Sequence, residues 1–125
     1  MGTKYLIDSN SLIEFQAKLL PETGQAFVAT AIDDSFNISI INVIEVLGHI
    51  SATTDLEKFI ALANILDLNR DIANVTIALR KIHKIKLGDA IIAATALANN
   101  LTIITRNIID FKSIEGLKLL NPFEI

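Results

Sequence analysis

An apolar run that breaks off abruptly at a carboxylate limits what this chain can fold into. Tyr5-Leu6-Ile7 suits a buried strand, Asp8-Ser9-Asn10 follows at once, and Leu12, Ile13 and Phe15 resume with helical spacing. A strand that hands over directly to a helix is the unit of an open α/β sheet, in which ligands bind at the carboxyl ends of the strands. At that point Asp8 reads either as a helix N-cap or as the start of a site, and the stretch alone does not choose between them.

The same alternation continues along the chain. A helix is expected from Ser9 to about Leu20, ended by Pro21, and a second over Gln25 to Ile32. A short strand at Phe36 to Ile40 and a helix over Asn42 to Ile50 follow. Thr54-Asp55-Leu56-Glu57 has the spacing of a capping box ahead of another helix. Asn64 to Leu68 reads either as the tail of that helix or as a brief strand. Asn69 is placed to cap a helix reaching about Lys84, with Ile72, Val75, Leu79 and Ile82 on one face. Gly88-Asp89 opens a helix through Asn99, Leu101 to Thr105 is the clearest buried strand, and a last strand is expected at Leu117 to Leu120. Strands separated by helices imply an α/β fold in three layers, a mostly parallel central sheet with helices on both faces. At 125 residues the chain is expected to form a single domain over 1–125.

Composition narrows the chemistry. The chain contains no cysteine, which excludes disulfides, thiolate metal sites and cysteine nucleophiles. A net charge of −3 argues against broad nucleic-acid binding through overall charge while leaving room for a local basic rim. No apolar run is long enough to span a bilayer and no leader pattern stands out, so a soluble cytoplasmic protein with no membrane attachment is expected. The hydrophobic fraction of 51% is high for a chain this small, and suggests that a second copy or a partner covers part of the surface.

Three acids stand in apolar surroundings and should share the carboxyl edge of the sheet. Asp8 follows the first strand. Glu45 is the one charge in Ile40-Ile41-Asn42-Val43-Ile44-Glu45-Val46-Leu47, and Asp89 opens a helix that is apolar nearly all round. Each has a plain structural reading: a cap for Asp8, a solvent-facing stripe with Asn42 and His49 for Glu45, and a dipole-favoured acid for Asp89. Asn107 and Asp110 lie in the loop after Leu101–Thr105, where Asn and Asp commonly serve turns. Gathered carboxylates repel one another unless a cation is present, and a hard divalent ion takes oxygen ligands while keeping several waters. His49 and His83 lack zinc-site spacing, and His49 is expected to be a surface or packed residue rather than a support for the acids.

With these residues in place, the chain resembles the PIN-domain ribonucleases, and among them the small toxins of VapBC-type toxin–antitoxin pairs. Tyr5-Leu6-Ile7-Asp8-Ser9-Asn10-Ser11-Leu12-Ile13 is similar to the family's opening hydrophobics followed by Asp-Thr-Asn, with Ser9 in place of Thr. Ile41 to Leu47 resembles the segment that carries the second acid, here Glu45. Gly88-Asp89-Ala90-Ile91-Ile92-Ala93-Ala94-Thr95-Ala96 resembles the Asp-Ala-hydrophobic-Ile-Ala-Ala motif, and Thr105-Arg106-Asn107-Ile108-Ile109-Asp110-Phe111 the Thr-Arg-Asn/Asp-x-x-Asp-Phe motif. The chain departs from the pattern at Asn107, where Asp is frequent, so that either Asn107 or Asp110 completes the acidic set.

The resemblance implies a PIN-like fold and endonucleolytic cleavage of RNA that depends on Mg²⁺ or Mn²⁺. It implies Asp8, Glu45 and Asp89 as metal ligands, with Asn107 and Asp110 as further catalytic-site candidates and Ser9, Asn10 and Thr105 as supporting polar groups. An acidic pocket needs cations at its border to accept RNA. Arg106, Lys84 and Lys86 are the phosphate candidates, with Arg80 and Lys81 nearby. The partners implied are an RNA substrate, a cognate antitoxin and a second copy in a homodimer. The alternative is a PIN-fold interaction module with weak or no catalysis, for which Asn107 speaks. A receiver or a haloacid-dehalogenase-like phosphatase would need paired acids or Asp-x-Asp after the first strand, and Asp8-Ser9-Asn10 offers neither.

Overall fold

The computed structural model describes residues 2–125; Met1, the first residue of the expected domain, lies outside them. Five parallel strands form one sheet in the order β3-β2-β1-β4-β5. They are β1 (Tyr5–Ile7), β2 (Asn37–Ser39), β3 (Asn64–Leu66), β4 (Thr102–Ile104) and β5 (Leu119–Leu120). The ambiguous stretch after the fourth helix is therefore a strand, and it pairs Asn37 with Asn64, Ile38 with Ile65 and Ser39 with Leu66 at the sheet edge. The helices are α1 (Ser9–Gln16), α2 (Glu22–Asp34), α3 (Ile40–Leu47), α4 (Thr54–Ile60), α5 (Arg70–Ile82) and α6 (Leu87–Ala98).

Burial on both faces of the sheet explains why β1 and β4 read as unbroken apolar runs. Leu6 and Ile103 face one core, with Ile72, Leu79, Ile92, Phe111 and their neighbours. Ile7, Ile38 and Ile104 face the other, with Leu12, Val28, Val46 and Ile60. Successive strand residues point to opposite faces, so a one-residue shift would exchange the two cores. Helix α6 is buried at every position from Ala90 to Ala96. Its alanines let it lie close to its neighbours, and the buried Thr95 hydroxyl is satisfied by donating to the Ile91 carbonyl at 2.7 Å. None of the helices in the described residues is long and apolar enough to cross a membrane.

Several expected boundaries shift, each for a local reason. Strand β2 ends at Ser39, whose hydroxyl caps α3, so this helix begins at Ile40 and stops at Leu47 before Gly48. The cap of α4 is Thr53, which accepts from the Leu56 backbone N–H at 3.1 Å, one residue earlier than the Thr54 capping box. On α5 the buried face is Ile72, Thr76 and Leu79, while Ile82, at the final helical position, is 77% exposed. Helix α2 is longer than expected and starts directly after Pro21. Gly24 is buried in that helix because an added Cβ would stand 2.0 Å from the Pro122 carbonyl oxygen, which brings the C-terminal segment against α2.

Helix α1 stops four residues short of Leu20. Leu19 N–H returns to the Glu14 carbonyl at 2.8 Å and Lys18 N–H to the Phe15 carbonyl at 3.0 Å, a Schellman closure. That closure needs a left-handed residue, and here it is Lys18 at φ 59°. A β-carbon in that region costs about 1–2 kcal/mol. Lys18→Gly is therefore expected to stabilise the protein by about 1 kcal/mol in denaturant unfolding; an unchanged or lower midpoint would contradict the closure.

Candidate active site

The sheet order reverses at β1: the chain moves outward to β2 and β3, then crosses back to place β4 on the other side. The carboxyl ends of β1 and β4 thus flank a topological switch point, where open α/β sheets bind ligands. Asp8 follows β1 and Thr105 follows β4. The Asp8 backbone N–H still bonds the Ile104 carbonyl at 2.9 Å, which fixes its side chain at this edge.

Asp8 is only 6% exposed. Its Oδ1 accepts from the Ser9 backbone N–H at 2.9 Å and from Asn42 Nδ2 at 3.2 Å, and its Oδ2 accepts from the Thr105 hydroxyl at 2.9 Å. It is the N-cap of α1 and also lies in the crevice, so the two readings of this residue describe one arrangement. Burial raises its pKa, and the Glu45 charge adds to that. The bonds from Ser9, Thr105 and Asn42 oppose the rise without cancelling it.

Asn42 connects Asp8 to Glu45. Ser39 and Asn42 form a reciprocal capping box at the start of α3, in which Asn42 Oδ1 accepts from the Ser39 N–H at 2.9 Å. That leaves both amide hydrogens of a fully buried side chain for Asp8 Oδ1 and for Ser9 Oγ, the latter at 3.0 Å. Ser9 Oγ in turn donates to Glu45 Oε1 at 2.7 Å. The expected solvent-facing stripe of Asn42, Glu45 and His49 is not found: Asn42 and Glu45 share the side of α3 that Ser9 Oγ meets, but that side is turned to α1. Asn42 is interior and Glu45 exposed, and His49 lies beyond the helix with its Nδ1 paired to Ser51 Oγ at 2.6 Å.

Asp89 sits in the first turn of α6. Gly88 beside it lies close to α3, where a Cβ would make ordinary contacts with Glu45 Oε2 and Ile41 Cγ2 at 3.6 Å. Burial pushes the Asp89 carboxyl up to about 6, helped by the charges of Asp8, Asp110 and Glu45 and opposed by Lys86. Asp110 ends a short 3₁₀ turn, Ile108–Asp110, while Asn107 precedes that turn and its side chain makes no capping bond. Of the two candidates for the fourth position, Asp110 is the one whose charge reaches Asp89.

Asp8, Glu45 and Asp110, from three other segments, are thereby brought within electrostatic reach of Asp89. The donor set is all oxygen and anionic, which fits a hard divalent cation rather than a soft one. Among the described residues, no group of three His, Cys, Asp or Glu side chains stands close enough to hold an ion directly.

The basic residues divide into two groups. Lys84 and Lys86 line a cavity of about 230 Å³ together with Asp89, Ile109 and Asp110. Lys84 also borders a larger groove of about 570 Å³ that Arg80 and Lys81 line. Arg106 is engaged elsewhere: its Nη1 is 2.6 Å from Glu14 Oε2, and its guanidinium lies 5.7 Å from the centroid of the Phe123 ring. Asn10 Oδ1 faces the Arg106 backbone N–H at 3.4 Å and accepts from Ser11 Oγ at 3.1 Å, so Asn10 supports the loop rather than the acids. Sequence reasoning missed Asn42 as a member of the site, although Ser39-x-x-Asn42 has capping-box spacing. It missed Glu14 altogether, and an acid between Ile13 and Phe15 was the available signal.

The sequence model of the PIN domain family matches residues 5–117, a span that contains Asp8, Glu45, Asp89 and Asp110. Among curated proteins none matches the chain significantly. Among solved structures, a toxin–antitoxin complex from Klebsiella pneumoniae is 34% identical, with 98% of this chain and 100% of that chain covered and a TM-score of 0.73. VapBC2 from Rickettsia felis, bound to a DNA fragment from their promoter, is 25% identical, covering 95% and 98% with a TM-score of 0.79. FitAcB from Neisseria gonorrhoeae, 23% identical over 97% and 99%, has a TM-score of 0.77 and shows the fold alone. The chain belongs to the PIN domain family, and within that family it is VapC-like.

Proposed function

We propose that residues 1–125, as a single PIN-like domain, act as a metal-dependent endoribonuclease and as the toxin of a toxin–antitoxin pair. The observation that carries this reading is the approach of Asp8, Glu45 and Asp110 to Asp89 at the carboxyl edge of the sheet, where burial first and these charges second push Asp89 up to about 6. Membership of the PIN domain family supports a nuclease, and likeness to toxin–antitoxin complexes supports the biological setting.

Asp8, Glu45 and Asp89 would hold Mg²⁺ or Mn²⁺, directly or through water. When bound, such an ion neutralises the carboxylates and supplies Lewis-acid activation of water and phosphate. The chain's own residues do the positioning. Thr105 and Asn42 hold Asp8 in one orientation, and Ser9 holds one oxygen of Glu45, leaving its other oxygen free. Asp110 adds negative charge on the loop side, and Lys84 and Lys86 stand where an RNA backbone would pass beside the acids. A cognate antitoxin and a second copy in a homodimer account for exposed apolar residues such as Ile44, Ile77 and Leu87. That no three of the described acids stand close enough to hold an ion directly favours the second reading, an interaction module without turnover.

Purified protein is expected to cleave a structured RNA internally with Mg²⁺ or Mn²⁺ and to stop on chelation. Asp89→Asn should slow cleavage by at least ~100-fold. Cleavage that survives both treatments contradicts the proposal, and no cleavage by wild type under any divalent ion favours the interaction module.

Stability carries an independent signature. Asp89 titrates near 6 in the fold against 3.8 when unperturbed, so its charged form is disfavoured in the native state. That cost is fully present above about pH 6, is relieved as pH falls through 6, and is gone below the unperturbed value. Asp8 is shifted in the same direction. Metal-free Asp89→Asn is therefore expected to exceed wild type by about 1 kcal/mol at neutral pH, a figure discounted for partial exposure. The advantage should shrink as pH falls through 6 and vanish by about pH 3, where Asp89 is neutral in both the folded and the unfolded state. Equal melting of the two proteins at neutral pH would contradict the raised Asp89 pKa.

A further inference from the structure

We propose that Glu14 and Arg106 form a latch that fixes the loop carrying Asp110 against α1, making Arg106 a positioning residue for the acidic cluster rather than a contact for RNA phosphate. This inference rests on the nuclease reading above and concerns how its fourth acid is held.

Arg106 is held at two points, although its side chain stays half exposed. Its Nη1 meets Glu14 Oε2 at 2.6 Å, and the plane of the guanidinium lies over Phe123. Glu14 is a poor candidate for a surface ion pair: its side chain is only 12% exposed, and its Oε1 is buried with no hydrogen-bond partner. Holding a carboxylate in that position is unfavourable unless a cation compensates it. Among the described residues, Arg106 is the cation placed against it. The pair is therefore far less free to exchange partners than an exposed one, and Arg106 is not a mobile arm waiting for a ligand.

The position of Arg106 in the chain gives the pair its consequence. Immediately before it, the Thr105 hydroxyl donates to Asp8 and accepts from the Asn107 N–H at 3.1 Å. Immediately after it, the 3₁₀ turn delivers Asp110 to within electrostatic reach of Asp89. The far end of the loop is anchored by Phe111, which is 1% exposed. Between those anchors, Asn107 and Asp110 are both exposed, and the Asp110 N–H bonds only the local Asn107 carbonyl at 3.1 Å. Arg106 adds the ties to α1, through its backbone N–H to Asn10 and, one helical turn on, through its side chain to Glu14. Releasing the side chain frees the turn that carries Asp110 while leaving Asp8, Glu45 and Asp89 on their own elements.

The two roles make opposite forecasts for Glu14. If Arg106 bound phosphate, removing its intramolecular rival would leave RNA binding intact or strengthen it. If the pair is a latch, losing either member does the same damage. The test uses wild type, Glu14→Gln, Arg106→Gln and the double variant. Mn²⁺ affinity is measured by calorimetry without RNA, and binding of a fluorescein-labelled RNA hairpin is measured in EDTA across a salt series.

The latch predicts that either single substitution weakens Mn²⁺ binding about tenfold, as loss of a supporting partner around a metal commonly does, and that the double variant is no worse than either single. The slope of RNA affinity against salt should stay that of wild type. A slope reduced by about one in Arg106→Gln, with Mn²⁺ affinity intact, would overturn the proposal and assign a phosphate contact. Wild-type Mn²⁺ affinity in Glu14→Gln would overturn it too. Should wild type itself bind no Mn²⁺, the nuclease reading fails, and amide exchange decides the latch. Faster exchange across residues 107–110 in both single variants supports it, and unchanged exchange rejects it. Arg106 is half exposed, so Arg106→Gln remains informative even if the buried Glu14→Gln is unstable.

Discussion

A carboxylate almost wholly removed from water sits at the centre of this fold, and three donors from three segments keep it there. The Ser9 backbone N–H begins α1, the Asn42 amide comes from α3, and the Thr105 hydroxyl follows β4. Together they tie the ends of β1 and β4 to α3 across the point where the sheet reverses direction. Without Asp8 at that point, the Asn42 amide and the Thr105 hydroxyl would each lose a partner in a buried setting, which is costly. The same carboxylate therefore closes the scaffold and opens the site.

The site is expensive by design of its charges. Three hydrogen bonds to Asp8 do not outweigh its desolvation, and its pKa still rises. Around it Glu45, Asp89 and Asp110 add like charge, with Lys86 the one opposing neighbour that acts on Asp89. Repulsion of this kind is what a metal-free carboxylate cluster must bear, and a divalent cation relieves it. Fold stability and function pull in opposite directions here, as is common where a site needs charges that the scaffold alone would neutralise.

Much of this was legible in the sequence wherever the signal was local. An acid ending a strand, an acid alone in an apolar helix and an acid opening a buried helix marked Asp8, Glu45 and Asp89. The parallel sheet and its carboxyl edge followed from the alternation of apolar runs. What escaped was set by distant partners. Glu14 and Arg106 are 92 residues apart, and nothing within Leu12-Ile13-Glu14-Phe15 says that the acid turns inward toward a cation. Asn42 looked solvent-facing because helical spacing sets it beside Glu45 and says nothing of Asp8 and Ser9, which cover it from 34 and 33 residues away. The early end of α1 was hidden because Lys18 takes a left-handed conformation for which glycine is the usual marker. Asn107 and Asp110 are alike exposed loop residues in the sequence, and only the folded 3₁₀ turn brings the Asp110 charge to bear on Asp89.

The central claim is that these carboxylates are assembled for one divalent cation at the β1–β4 switch point. Anomalous diffraction from crystals soaked in Mn²⁺ tests it most directly. The account predicts an anomalous peak in the crevice bounded by Asp8, Glu45 and Asp89, lost in crystals of Asp89→Asn. No peak there at saturating Mn²⁺, or a peak only at sites remote from these three residues, would contradict it.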